Sequence, residues 1–225
     1  MIQLEKLHKT FAGKTVLSAI SATFEKGKVY GVVGQNGAGK TTLFRCIAGL
    51  TEYQGSIKSD LMPLKHHLGY LPTESYYLPK ITAEEYIFLM TEARGRKVDD
   101  LPSRNIFDLP LKQYVDTFST GMKKKLAITA VLLQGNDYFI FDEPYNGLDL
   151  QSSFVFTEIV RKLKSQGKTI LIASHIFATL SDCCDEILWL SEGVFKQQVH
   201  QHDFLLLEQM LKEQILNQDI NQLFV

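Results

Sequence analysis

Short apolar runs and longer helical stripes alternate along most of the chain. "VYGVVG" is a β-rich apolar run of strand length, and residues 40–50 then carry apolar positions at helical spacing. "YFIF" and "TILIAS" repeat the pattern, each preceded by Gly, Asn, Asp or Lys, and helical stripes follow at 149–164 and 176–183. Alternation of this kind predicts a mostly parallel sheet with helices on both faces. The start of the chain differs. "MIQLEKLHKTF", "SAISATFEKGKVY" and "GSIKS" read as short strands joined by turns, which predicts a small antiparallel sheet beside the parallel one.

From about residue 72 to 133 the pattern is mostly helical, with helices expected over 82–91, 104–114 and 119–133. Thr82 and Glu85 have the spacing of a capping box at the first of these. The two stretches that look like phosphate chemistry flank this block. It is therefore expected to be a helical insertion, at about 74–133, in a single nucleotide-binding domain spanning 1–225. A last helix is expected at about 203–217, where Phe204, Leu207, Leu211 and Ile215 form a stripe that packs on its own domain. No apolar run approaches the ~18–20 residues that a membrane-spanning helix needs.

Composition narrows the picture modestly. With 45% hydrophobic and 22% charged residues, the chain has the makeup of an ordinary globular protein. A net charge of −1 provides no global positive field to recruit nucleic acid, so no nucleic-acid partner is expected. The one basic run, Lys123-Lys124-Lys125, lies in a helical pattern and reads as a solvated face. Cys46, Cys183 and Cys184 have no metal-binding spacing and read as reduced thiols of a cytoplasmic protein.

The chemistry is concentrated in two stretches. Gly34-Gln35-Asn36-Gly37-Ala38-Gly39-Lys40-Thr41 fits G-x-x-x-x-G-K-[ST], and it follows a predicted strand and opens a predicted helix. Glycines let successive backbone N–H groups face an anion, and the helix N-terminus adds partial positive charge. Lys40 is placed to reach the β- and γ-phosphates of a nucleotide, and the Thr41 hydroxyl to ligate Mg²⁺. The second stretch, "YFIFDEP", ends a buried strand with two carboxylates at the sheet edge where such sheets bind ligands. Asp142 is the candidate for holding Mg²⁺ through water, and Glu143 for the general base that polarises the attacking water. His175 follows "TILIAS" at the same edge. It is a candidate for contacting the γ-phosphate, although lone histidines at strand ends are commonly structural or solvated.

Taken together and in order, "GQNGAGKTT", "FSTGMKKKL", "FIFDEPYNGLDL" and "IASH" resemble the ATP-binding cassette family over nearly the whole chain. The resemblance implies a P-loop nucleoside triphosphatase fold and ATP with Mg²⁺ as cofactors. Gly34 to Thr42 would bind phosphate, Glu143 would be the base, His175 the switch histidine, and Phe11 the ring stacked on adenine. It further implies a head-to-tail dimer with a second cassette, identical or different. Ser119 and Gly121 would start a helix aimed at the partner's γ-phosphate, with Asp149 at the seam. Hydrolysis would drive transmembrane transporter subunits docked near the insertion, which keeps the protein on the cytoplasmic face of the membrane.

The resemblance has departures. Thr73 stands where the family's Q-loop has glutamine, with Glu74 beside it as a substitute. Thr120 and Met122 replace the commonest signature residues. Tyr145 is bulkier than usual after "DEP", and the interval from Lys40 to Ser119 is short, so the insertion is trimmed. The pattern is most similar to single-cassette subunits of bacterial exporters. The alternative is a soluble cassette ATPase that acts as a conformational switch in an assembly process such as iron–sulfur cluster formation. A module that holds ATP without turnover is disfavoured by Glu143.

Overall fold

The computed structural model describes the backbone of residues 1–216 and the side chains of residues 1–213. In chain order, strands β1 (Ile2–Phe11), β2 (Lys14–Phe24) and β3 (Val29–Val33) lead into helix α1 (Lys40–Ile47). Strands β4 (Gln54–Ser59) and β5 (Leu68–Leu71) precede helices α2 (Ala83–Glu92) and α3 (Thr120–Leu133). There follow β6 (Tyr138–Asp142), α4 (Leu150–Ser165), β7 (Thr169–Ser174), α5 (Phe177–Ser181), β8 (Glu186–Ser191), β9 (Val194–His200) and α6 (Phe204–Leu216).

The strands form two sheets. One is three-stranded and antiparallel, in the order β2-β1-β4. The other is six-stranded, in the order β5-β6-β7-β3-β8-β9, parallel throughout except for β9 at its edge. This is the α/β architecture that the sequence pattern predicts. Its central strands read as continuous apolar runs because both faces are covered. On β6, Tyr138 and Ile140 enter the core beneath the small sheet and α1, while Phe139 and Phe141 pack with Phe156 and Val160 of α4. On β7, Leu171 and Ala173 divide from Ile170 and Ile172 in the same way.

Three strands carry too little pattern to be read in advance. β5 has only four residues. β8 begins with Glu186, buried and paired with Lys28 at 3.0 Å, and β9 is largely polar because it lies at the edge. The expected helix at 104–114 is absent. Asn105 donates to the Leu109 carbonyl at 2.8 Å and accepts from the Leu109 N–H at 3.0 Å, closing a loop just before Pro110. That proline disfavours helical backbone at Leu109. The segment instead supplies acceptors to α2, whose Ala83 and Glu84 N–H groups donate to the Gln113 and Leu111 carbonyls.

α2 starts at the expected capping box. Thr82 Oγ1 accepts from the Glu85 N–H at 3.3 Å, and Glu85 Oε2 accepts from the Thr82 N–H at 2.8 Å. Thr82→Ala removes half of that reciprocal cap and is expected to lower Tm by about 2–4 °C in thermal unfolding followed by circular dichroism.

The stripe on α6 packs as expected where its side chains are described. Phe204 and Leu207 are buried against the sheet, with Leu211 beside them. The side chain of Ile215 and residue 217, the expected end of the helix, lie outside the described residues. Among the described residues no helix is long and apolar enough to cross a membrane.

Candidate functional site

The loop from Gly34 to Gly39 joins the end of β3 to the start of α1, and two of its glycines are there for steric reasons. A Cβ at Gly34 would lie 2.3 Å from the Leu190 carbonyl oxygen at the end of β8. Gly39 has φ +108°, and a Cβ there would meet Leu17 Cδ2 at 2.9 Å. No side chain caps α1, so its first-turn N–H groups keep no side-chain acceptor, the arrangement in which an anion serves as the cap. The Lys40 side chain is buried against the loop. Its Nζ donates to the Gly34 carbonyl at 2.7 Å and the Gln35 carbonyl at 3.3 Å.

These residues line a cavity of about 460 Å³. Gln35, Asn36, Gly37, Gly39, Lys40, Thr41 and Thr42 form one wall, and Thr73, Glu143, Asn146 and His175 face them. Gly34 and Ala38 line an adjoining cleft toward α6. The parallel strands produce this convergence. Asp142 ends β6 and His175 follows β7, and the pairing of Asp142 with Ala173 puts both strand ends at one edge.

Glu143 has a left-handed backbone, with φ +51°, fixed by its N–H donating to the Ala173 carbonyl at 3.0 Å. That conformation is uncommon for a residue with a side chain and concentrates at functional sites. Here it turns the carboxylate into the cavity, where Oε2 is 2.9 Å from His175 Nδ1 and Oε1 is 3.5 Å from Lys40 Nζ. One carboxylate thus meets both an imidazole and an ammonium beside the glycine loop.

Asp142 is 0% exposed, and neither of its carboxylate oxygens accepts a hydrogen bond. Burial raises its pKa. The Thr41 and Thr73 hydroxyls lie near enough to favour the charged form without closing a bond of normal geometry. An unpartnered buried carboxylate is costly, so this donor set suits a hydrated divalent cation. Among the described residues no three His, Cys, Asp or Glu side chains cluster as a metal cage. A lone buried carboxylate with hydroxyls beside it is a donor set of the kind that holds Mg²⁺, which is commonly bound through one or two carboxylates together with the oxygens of a phosphate substrate.

Other expected site residues lie outside this cavity. Ser119 caps α3, its Oγ accepting from the Met122 N–H at 3.2 Å. A Cβ on Gly121 would lie 2.6 Å from the Gly147 carbonyl oxygen, so α3 rests on the loop that follows Glu143. Lys125 of α3 pairs with Asp149 at 2.7 Å, and Asp149 also caps α4 by accepting from the Ser152 N–H at 2.8 Å. Phe11 is 49% exposed at the β1–β2 turn, with Lys9 Nζ 4.5 Å from its ring centre. Tyr145 is accommodated in the core, edge-on to Phe156 at 5.2 Å with its hydroxyl 3.1 Å from Thr157 Oγ1.

The basic run is not the solvated face expected of it. Lys124 is only 8% exposed, and its Nζ donates to the Thr73 carbonyl at 2.7 Å and approaches the Pro72 carbonyl at 3.5 Å. The backbone between β5 and α2 passes over α3 here, and its carbonyls require donors. Asn146 is a further cavity residue not singled out by the sequence pattern, and only its place in the loop after Glu143 signals it.

Known proteins share the fold and much of the sequence. The family model described as ABC transporter matches residues 17–146, more than half of the chain. The chain is 35% identical to the ABC transporter ATP-binding protein NatA of Bacillus subtilis, over 86% of this chain and 87% of that protein. It is 30% identical to the lantibiotic transport ATP-binding protein SrtF of Streptococcus pyogenes, over 96% of this chain and 98% of that one. A solved ATP-binding subunit of an ABC transporter superposes with a TM-score of 0.80 at 26% identity, covering 90% of this chain and 91% of that chain. The chain belongs to the ABC transporter family and is one of its ATP-hydrolysing cassettes.

Proposed function

We propose that the protein energises a membrane exporter by hydrolysing ATP between its own phosphate loop and the signature helix of a second cassette. The contact of Glu143 with both His175 and Lys40, facing the loop from Gly34 to Thr42, carries this reading. In it, residues 1–225 form one nucleotide-binding domain with the 74–133 block as its insertion.

The loop N–H groups and Lys40 hold the β- and γ-phosphates, and Phe11 offers a face to the adenine. Glu143 takes a proton from the attacking water as its oxygen bonds to the γ-phosphorus. The bond from the γ-phosphorus to the bridging oxygen breaks, and ADP leaves with that oxygen. His175, bonded to Glu143 through Nδ1, orients the carboxylate and leaves Nε2 for the γ-phosphate. Asp142 and Thr41 would hold Mg²⁺, which would supply positive charge to offset that on the phosphate oxygens. Ser119 and Gly121 lie outside the cavity of their own chain, which suits a role on the phosphate held by a partner cassette.

The membrane subunit is proposed to dock in a groove of about 700 Å³ between α1, α2 and the Thr73 loop. Tyr70, Tyr76, Tyr86 and Met90 make it largely aromatic and apolar, with Arg45 and Glu74 at hand for polar contacts. Tyr76 is 78% exposed there. The likeness to SrtF, a lantibiotic transport ATP-binding protein, supports coupling to transport.

Co-purification from mild-detergent extracts of native membranes tests the reading. An integral membrane protein should be recovered in stoichiometric amount with the wild type, and should be lost from Tyr76→Asp while ATPase activity persists. Soluble partners alone would instead favour the assembly-switch reading.

A further inference from the structure

The mechanism leaves Lys124 without a part, although it is a buried ammonium next to the site. A lysine is seldom buried unless its charge is compensated. Lys124 has two backbone carbonyls, of Thr73 and Pro72, and no carboxylate within ion-pair distance among the described residues. It nevertheless sits in the field of Asp142, Glu143 and Glu74, all of which favour its charged form against the burial that disfavours it. It projects from α3, the helix that Ser119 caps, onto the loop whose Thr73 lines the phosphate cavity.

We propose that Lys124 is a positioning residue for ATP hydrolysis, fixing the Pro72–Thr73 backbone so that the Thr73 hydroxyl faces Asp142 and supplying one positive charge beside the Asp142–Glu143 pair. A threonine has a shorter stem than a glutamine, so its hydroxyl reaches the metal edge only if the backbone carrying it is held close. Lys124 does this with a compact cation on a flexible chain, which can follow the carbonyl as the loop adjusts. Partners that orient a metal-facing group from behind commonly change affinity or activity by 10–100-fold when removed. The same contact links the partner-facing helix α3 to the metal edge, so a displacement of α3 is felt at Thr73.

The test is a double-mutant cycle on the full chain, with Lys124→Met and Lys124→Gln each made alone and with Thr73→Val. Steady-state kinetics, thermal unfolding and titration with a fluorescent ATP analogue, with and without Mg²⁺, are measured for every variant. Lys124→Met is expected to lower kcat about 10-fold, with KM for ATP within about twofold and Tm not lowered. It should also reduce the gain in analogue affinity that Mg²⁺ brings. Lys124→Gln, which keeps a donor for the Thr73 carbonyl, should retain more of both. In the Thr73→Val background Lys124→Met should change kcat by less than about twofold, because the hydroxyl that Lys124 positions is gone.

An unchanged kcat and Mg²⁺ gain, or the same loss in both backgrounds, would overturn the proposal. If Lys124→Met does not fold, Lys124→Gln carries the comparison. The inference rests on the assignment of Glu143 as base. Wild-type turnover by Glu143→Gln would remove that assignment, whereas the coupling between Lys124 and Thr73 is read within its own cycle.

Discussion

Glu143→Gln is expected to lower ATP turnover by about 10² to 10⁴-fold while leaving ATP bound. The substitution keeps the shape of the side chain, so the contact with His175 Nδ1 at 2.9 Å and the left-handed backbone can persist. What it removes is the capacity to accept a proton from the attacking water. In the proposed mechanism nucleotide affinity rests on the loop N–H groups and on Lys40, whose bonds to the Gly34 and Gln35 carbonyls the change leaves in place. The variant should therefore accumulate ATP-loaded cassettes, seen in light scattering as a doubling of mass on addition of Mg-ATP. Phosphate release measured under saturating ATP gives the rate. Turnover within twofold of wild type would remove Glu143 from the role of base. A slow variant that stays a monomer with ATP would point to a different partner cassette.

Lys40→Ala should abolish turnover through the opposite defect, loss of the nucleotide itself. Its ammonium is buried and bonded to the Gly34 and Gln35 carbonyls, so it has two effects. In the proposed mechanism it presents positive charge to the phosphates, and its two bonds hold the loop in its curvature. Truncating one partner of a buried charge pair commonly costs about 2–5 kcal/mol, which corresponds to a loss of ~30- to 5,000-fold in affinity. Calorimetric titration with ATP should show this directly. Since Lys40 is also the cation nearest Glu143, at 3.5 Å, the alanine leaves that carboxylate with His175 alone. Hydrolysis at the wild-type rate by Lys40→Ala would sink the phosphate-loop assignment.

The parts of this site that were legible in the sequence are those fixed by backbone constraints. Gly34 and Gly39 are needed where Leu190 and Leu17 crowd the loop, and the apolar runs of β3, β6 and β7 record burial on both faces. The candidate side chains at the ends of those runs could accordingly be named in advance. What escaped depends on long-range partners. β8 starts with a buried glutamate that only Lys28, far away in sequence, makes tolerable. The stretch 104–114 carries helical spacing, but Asn105 and Pro110 close it into a loop that caps α2. Lys124 sits within a run of three lysines, and nothing local distinguishes the one beneath the Thr73 carbonyl from its neighbours.

Gly121 has a mechanical consequence. With its α-carbon pressed on the Gly147 carbonyl, and with Lys125 tied to Asp149, the start of α3 and the loop after Glu143 are coupled at two points. They act as a crank rather than as two flaps. A push on the start of α3 would be transmitted through the backbone contact of Gly121 with Gly147 to the loop after Glu143. In the proposed pairing with a second cassette, each subunit would then register at its own Glu143 how firmly its neighbour is pressed against it.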